Sequence, residues 1–215
     1  MIITIDGPAA AGKGTLAAKL ADKFALTYFD TGMVYRAVGL QMLQANISLD
    51  DTSAAENFAK SLTFQRMMDL SKDVAFRSLE GSHAASAVAA IPAVRAALLK
   101  MQQDFSKKPV FADGTPANGA IYDGRDTGTV VCPNADVKLF ITASPEVRAM
   151  RRFKEYEAKG QITSYEDVLK QTIARDKNDF ARESSQPAKD AIIIDTSDLS
   201  IEQVFEKACE IISNK

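Results

Sequence analysis

Apolar positions along the 215-residue chain recur with two alternating periods. Ile2-Ile3-Thr4-Ile5 is a short β-branched run that stops at Gly7-Pro8, which predicts a strand meeting a turn. From Gly14 to Phe24 the spacing changes, with Leu16, Leu20 and Phe24 on one face, and predicts a helix. Phe29 and its neighbours predict a second short strand before Asp30-Thr31-Gly32, and helical spacing resumes over Val34–Leu43 and Thr52–Leu62. Around Leu62–Phe64 and Val74–Leu79 the pattern shortens and predicts a small strand-rich lobe. Pro92 suits the first turn of a helix running to Phe105. Val110–Ala112, Ala120–Tyr122 and Val137–Ile141 are compact apolar runs bounded by Gly, Pro or Asp, as buried parallel strands should be. Two charged helices, Pro145–Ala158 and Tyr165–Lys177, precede a last strand at Ile192–Ile194 and a closing helix over Ile201–Ile212. Strands alternating with helices predict an α/β fold, a parallel β-sheet flanked by helices. Asp113–Gly119 is turn chemistry and predicts an exposed loop.

Composition narrows the function. The length fits one domain, or one domain with a small inserted lobe. Twenty-six Lys and Arg against 28 Asp and Glu give a net charge of −2, which argues against a nucleic-acid polymer held by bulk charge. Cys132, Cys209 and His83 are the only soft ligands, too few for a Cys/His zinc site, and no nucleophile motif accompanies His83. Two isolated cysteines fit a reducing compartment. The N-terminal residues lack a basic n-region, and the uncharged stretches Ala37–Leu49 and Ala84–Val94 are too short to span a bilayer. These features predict a soluble, cytoplasmic protein with no membrane partner.

Gly7-Pro8-Ala9-Ala10-Ala11-Gly12-Lys13-Gly14-Thr15 fits G-x-x-x-x-G-K with a hydroxyl residue close behind. Small residues let successive backbone N–H groups turn around phosphate oxygens, and the following helix presents its positive end. Lys13 supplies a mobile charge for the outer phosphates. Gly14 stands where the strict pattern has Ser or Thr, and Thr15 follows one later, so a direct hydroxyl ligand to magnesium is not specified. A Gly/Ala-rich turn before an amphipathic helix is the plain alternative; the strand before and the helix after favour phosphate binding. A guanine-reading Asn-Lys-x-Asp is absent, whereas Arg36, Arg95, Arg125, Arg148, Arg151, Arg152, Arg175 and Arg182 are spread over several elements. Two nucleotides meeting phosphate to phosphate would need such planar, bidentate cations.

Four segments carry a resemblance: Ile3-Thr4-Ile5-Asp6-Gly7-Pro8 through Thr15; Asp30-Thr31-Gly32-Met33-Val34-Tyr35-Arg36; Gly124-Arg125-Asp126-Thr127-Gly128-Thr129-Val130-Val131; and Arg175-Asp176-x-x-Asp179-x-x-Arg182. Together, in this order, they closely resemble the bacterial cytidylate kinase family over essentially the whole chain. The resemblance implies a P-loop kinase core with a lid at about residues 148–182 and a nucleoside-binding insertion at about 37–105. It implies phosphoryl transfer from ATP, with Mg²⁺, to CMP or dCMP, and nothing in the surface pattern of the chain demands more than a monomer. Residues 7–15 and Arg151 would bind ATP, and Lys13, Arg125 and Arg182 would act on the transferring phosphoryl group. Thr31, Arg36, Ser86, Arg95, Arg125, Asp126, Arg175, Asp179 and Arg182 match acceptor contacts, with Ser86, Arg95 and Asp126 around the cytosine ring. Asp179 matches the ribose contact.

The chemistry fits that set. Cytosine offers an amine donor beside the O2 and N3 acceptors, which a carboxylate and two donors can read. Uracil would turn a carbonyl toward Asp126. Asp126 also reads as a loop-capping aspartate, Asp123 as a carboxylate near magnesium or a strand-end turn, and Arg148, Arg151 and Arg152 as lid arginines or a basic helix face. Two stretches depart from the family pattern: residues 104–123 are longer and turn-rich, and the region between Arg36 and Phe76 is compressed, implying a trimmed strand-rich insertion. A P-loop kinase for UMP, dTMP or AMP, and a nucleotide-hydrolysing switch, are the rival readings.

Overall fold

In the computed structural model, which describes residues 1–181 and 183–215 (Leu79 by its backbone only), the sheet has five strands in the order β2-β3-β1-β4-β5. They are β1 (Ile2–Asp6), β2 (Thr27–Asp30), β3 (Ala120–Gly124), β4 (Val137–Thr142) and β5 (Ile192–Asp195). β1 pairs in parallel with β3 and β4, and β4 with β5, in registers such as Thr4 opposite Tyr122 and Lys138. Ile3, Thr4 and Ile5 are wholly buried, as a central parallel strand covered on both faces requires.

Contacts divide the chain into two units, Met1–Phe29 with Pro109–Lys215, and Asp30–Lys108. In the first, α1 (Lys13–Phe24) and α9 (Ile201–Ser213) cover one sheet face. Leu16, Leu20, Val204 and Ile212 pack there on Ile3, Ile5, Ile121, Leu139 and Ile141. Helices α7 (Pro145–Ala158) and α8 (Tyr165–Phe180) pack on each other, and α8 runs three residues past its predicted end, which keeps Asp179 helical.

The Asp30–Lys108 unit is helical: α2 (Gly32–Gln44), α3 (Thr52–Ser61), α4 (Phe64–Leu70), α5 (Leu79–Ala89) and α6 (Pro92–Lys107), with a 3₁₀ turn at Val74–Arg77. The strand-rich lobe predicted around Leu62–Phe64 and Val74–Leu79 is therefore corrected to helix. Its short apolar runs are broken by polar caps: Thr63 accepts from the Arg66 amide, Asp73 from that of Ala75 and Ser78 from that of Gly81. Each cap starts a helical turn where the apolar period alone looked extended. α2 and α5 approach closely at Gly39, where a Cβ would stand 2.8 Å from Ala84 carbons.

The strand predicted at Val110–Ala112 is also corrected. Only Val110 makes a bridge, antiparallel to Pro116, inside a loop where Asp113 accepts from the Thr115 amide and hydroxyl. The Val110 carbonyl instead accepts the Thr27 hydroxyl at 2.8 Å. Residues 112–116 are exposed, as the turn chemistry predicts. Among the described residues no single helix is long and apolar enough to cross a membrane.

Candidate active site

The phosphate loop leaves the C-terminal end of β1 and ends at the first turn of α1. Two positions require glycine for different reasons. At Gly7, φ is 139° and a Cβ would fall 1.9 Å from the Ile141 carbonyl oxygen, so both conformation and space exclude a side chain. At Gly12, φ is 96° in open space, so conformation alone decides. The loop's carbonyls are held from behind by cationic side chains. Lys13 Nζ donates to Pro8 O at 2.9 Å, Arg148 Nη1 to Ala9 O at 3.4 Å and Arg151 Nη1 to Ala11 O at 3.4 Å. Carbonyls anchored in this way leave the loop's N–H groups for an anion.

Lys13 is buried, with Nζ 3.8 Å from Asp123 Oδ1. Burial pushes its ammonium down to about 8; Arg125 and Arg175 add to the drop, while Asp123 and Asp6 oppose it. These cations therefore act in one field, the arrangement a phosphate-binding site needs before its anion arrives. Asp123, at the end of β3, also accepts from Tyr28 Oη at 3.2 Å. A Cβ on Gly14 would lie 3.4 Å from Tyr28 Oη and 3.5 Å from Asp123 Oδ2, ordinary contacts, so space does not impose glycine there.

After β3 the chain enters a single π-type turn, Thr127–Val131, preceded by buried Asp126. Asp6 fixes this turn. Its Oδ1 accepts from the Thr127 amide and hydroxyl, both at 2.8 Å, and its Oδ2 from the Gly128 amide at 2.7 Å. Burial raises the Asp6 carboxyl above its ordinary range, against those bonds, which favour the anion. The Asp126 carbonyl accepts from the Val130 and Val131 amides, so its backbone closes this turn, and its side chain makes no cap bond there. A Cβ on Gly128 would meet Thr4 Oγ1 at 2.9 Å.

Beside this turn Arg125 Nε donates to Asp179 Oδ2 at 3.1 Å, and Arg175 Nε lies 3.9 Å from the same oxygen. The structure thus brings Arg125, Arg175 and Asp179 together. Arg148 and Arg151, expected among the lid arginines, are engaged in the body of this unit. Arg148 is 2% exposed and grips both oxygens of Asp176. Arg151 donates to the Thr196 hydroxyl and carbonyl at 3.0 and 2.7 Å. Arg152 pairs with Glu155 and lies over the Tyr156 ring. Thr15 is exposed on the first turn of α1, and Arg182 lies outside the described residues.

The helical unit carries the other acceptor candidates. Thr31 is the buried N-cap residue of α2. Arg36 Nη1 donates to Phe76 O and Ser82 Oγ, and Ser86 Oγ donates to Ser82 O, so Ser82 links the two. Arg95 donates to Ala89 O at 3.4 Å, and its guanidinium lies 5.6 Å from the Tyr35 ring centre.

Sequence reasoning missed Asp6, Tyr28, Asp176 and Thr196. Asp6 had a readable signal, a carboxylate closing a buried strand just before the loop. Asp176 had one too, standing beside Arg175. Tyr28 and Thr196 had none, because only folding brings them to the loop.

Known proteins place this geometry. The cytidylate kinase family model matches residues 3–214. The cytidylate kinase of Paramagnetospirillum magneticum is 47% identical, covering 100% of this chain and 98% of that protein. That of Rhodospirillum rubrum is 46% identical, with the same coverage of both chains. The fold alone is shared with a crystal structure of an uncharacterized protein from Eubacterium ventriosum, with a TM-score of 0.53 at 12% identity over 100% of this chain and 99% of that one. With its glycine-dependent phosphate loop, its buried lysine and the arginine–aspartate cluster beside them, the chain belongs to the cytidylate kinase family.

Proposed function

We propose that the chain transfers the γ-phosphoryl group of ATP to CMP or dCMP, releasing ADP and CDP or dCDP. The observation that carries this reading is the common field of Lys13, Arg125 and Arg175 at the phosphate loop of a chain from this family. Such a field suits phosphates arriving from two nucleotides.

The acceptor phosphate has a second pKa of about 6 and is an anionic nucleophile at neutral pH, so no general base is required. Catalysis is then alignment and charge neutralisation. Lys13 exchanges Pro8 O for the phosphates of ATP, and Arg125, with Arg175 and Arg182, neutralises charge on the transferring and acceptor groups. Residues 7–15 cradle the donor, and Arg151 holds the loop that binds it. Asp126 accepts from the cytosine amine while Arg95 and Ser86 donate to ring acceptors. Thr31, Arg36 and Asp179 complete the acceptor contacts. Residues 37–105 then act as the nucleoside-binding insertion, and 148–182 as the lid that excludes water.

Magnesium fits the donor set. Asp123 is a hard oxygen ligand beside Lys13, and Mg²⁺ is ordinarily held by one or two carboxylates together with substrate phosphates. Asp123 would hold the ion, with Thr15, two residues after Lys13, as a second candidate, and the ion would supply charge neutralisation on the phosphates. The protein acts as a cytoplasmic monomer on small nucleotides, with neither a polymer nor a membrane as partner.

An ADP-release assay with ATP–Mg²⁺ against CMP, dCMP, UMP, dTMP, AMP and GMP tests this. Fastest turnover with CMP and dCMP is expected. Preference for another acceptor would overturn the cytosine assignment, and slow hydrolysis indifferent to every acceptor would overturn the kinase.

A further inference from the structure

We infer that the Arg148–Asp176 pair is a positioning device that holds α8 in register with the phosphate loop, so that donor and acceptor phosphates meet in line. The inference rests on the phosphoryl-transfer reading above.

Arg148 spends four of its N–H donors on three separate pieces of chain. Nε donates to Ala143 O at 2.8 Å, just past β4. Nη1 reaches Ala9 O in the phosphate loop at 3.4 Å. Nη1 and Nη2 together take the two oxygens of Asp176 on α8. The side chains are only 3% and 15% exposed. A buried ion pair is poor evidence for stability, since well-packed apolar residues of similar volume often serve a fold as well or better. The guanidinium fork does something an apolar pair cannot: it fixes angle and distance between its partners.

Those partners are the two ends of the reaction. Ala9 belongs to the loop that cradles ATP. Asp176 stands between Arg175 and Asp179, the proposed acceptor contacts, and residues 175–179 span little more than one helical turn. A slide or rotation of α8 that releases Asp176 therefore carries Arg175 and Asp179 with it, and a misplacement of about 1 Å can cost roughly 10²-fold in rate. A single guanidinium separates Asp176 from Ala9 O.

The test uses Asp176→Asn, Asp176→Glu and Arg148→Lys in the full-length enzyme, with steady-state kinetics, thermal melting and hydrogen–deuterium exchange. Asp176→Asn should lower kcat about 10–100-fold while shifting KM for ATP and CMP less than about threefold. Arg148→Lys, which keeps the charge and loses the fork, should match it, and Asp176→Glu should restore part of kcat. Exchange at Ala9–Gly12 and at Arg175–Asp179 should rise together in Asp176→Asn, with β1 unchanged. A kcat within about twofold of wild type in both Asp176→Asn and Arg148→Lys overturns the inference, as does a loss that tracks unfolded protein alone. If Asp176→Asn does not fold, Arg148→Lys and Asp176→Glu decide by the same measures. Unchanged loop exchange in a folded variant overturns the coupling whatever the acceptor. A wild-type enzyme silent with CMP would remove the acceptor reading instead, and the exchange data would still decide the coupling.

Discussion

The phosphate loop and the helical unit Asp30–Lys108 hold their polar side chains in opposite ways. Around the loop, the anchoring groups Asp6 and Arg148 are buried and Arg151 is half-buried, and their bonds run between distant parts of the chain: Asp6 to Thr127 and Gly128, Arg148 to Ala9 and Asp176, Arg151 to Ala11 and Thr196. In the helical unit, Arg36, Ser86 and Arg95 are half-buried or exposed, and Ser86 and Arg95 bond to carbonyls four and six residues away. Chemistry common to every phosphoryl transfer is thus built on a frame that cannot yield without breaking several buried bonds. The proposed acceptor contacts Arg36, Ser86 and Arg95 sit instead on half-buried or exposed side chains. Substitutions should separate the two: those in the first region change rate and melting temperature, those in the second change acceptor preference alone.

The largest effect is expected at Lys13. Lys13→Met should reduce turnover by about 10³-fold or more by removing charge from the transferring group. It should nonetheless raise the melting temperature of the nucleotide-free protein. The ammonium titrates near 10.5 in the unfolded chain and about 8 in the fold, so below about pH 8 it is charged in both states and its burial opposes folding. Between those values the unfolded chain holds the extra proton, and stability should increase with pH through that window. Lys13→Met should flatten this increase in melts recorded from about pH 7 to pH 10; a lowered melting temperature would break the account.

Asp6→Ala comes next. It leaves two amides and one hydroxyl of the π-type turn without their acceptor, at about 1–3 kcal/mol for each group that stays buried. Turnover should fall about 10²-fold and the melting temperature with it, since the turn follows directly on Arg125 and Asp126. A variant with normal melting and normal kcat would make this region as adjustable as the other.

Asp126→Ala lies on the border of the comparison. We expect kcat/KM for CMP to drop about 10²-fold and that for UMP much less, with KM for ATP unchanged within about twofold. Equal losses for both pyrimidines would assign Asp126 to the frame. The smallest effect should come from Ser86→Ala, a rise of about 5–10-fold in KM for CMP with no change in melting, because its hydroxyl is exposed and returns only one local bond. A change in kcat alone would contradict the division.

The same contrast explains what could be read from the chain. β1, β3 and β4 were legible because buried parallel strands appear as compact apolar runs, β5 as the β-branched run Ile192–Ile194 although it is mostly exposed, and the loop because Gly7 and Gly12 adopt backbone conformations that favour glycine. The helices around Thr63–Leu70 and Val74–Ala89 were not, since their identity rests on capping side chains rather than on apolar period. Val110–Ala112 misled for the converse reason: its apolar run serves a loop whose carbonyl is taken by Thr27. At the site, Asp6 and Asp176 had a legible signal, one closing a buried strand and one beside Arg175, but that they bind Thr127 and Arg148 became visible only once the fold set them together, as did Tyr28 and Thr196.

The buried lysine has a consequence for calorimetry. Near pH 8 about half of the nucleotide-free molecules carry a neutral Lys13, and bound triphosphate should restore its ammonium, so binding takes up about half a proton from the buffer. The measured heat of ATP binding should then include the buffer's own ionisation enthalpy, differing between Tris and phosphate at that pH and converging as the solution is made more acidic. A methionine at this position should abolish the buffer dependence along with the uptake.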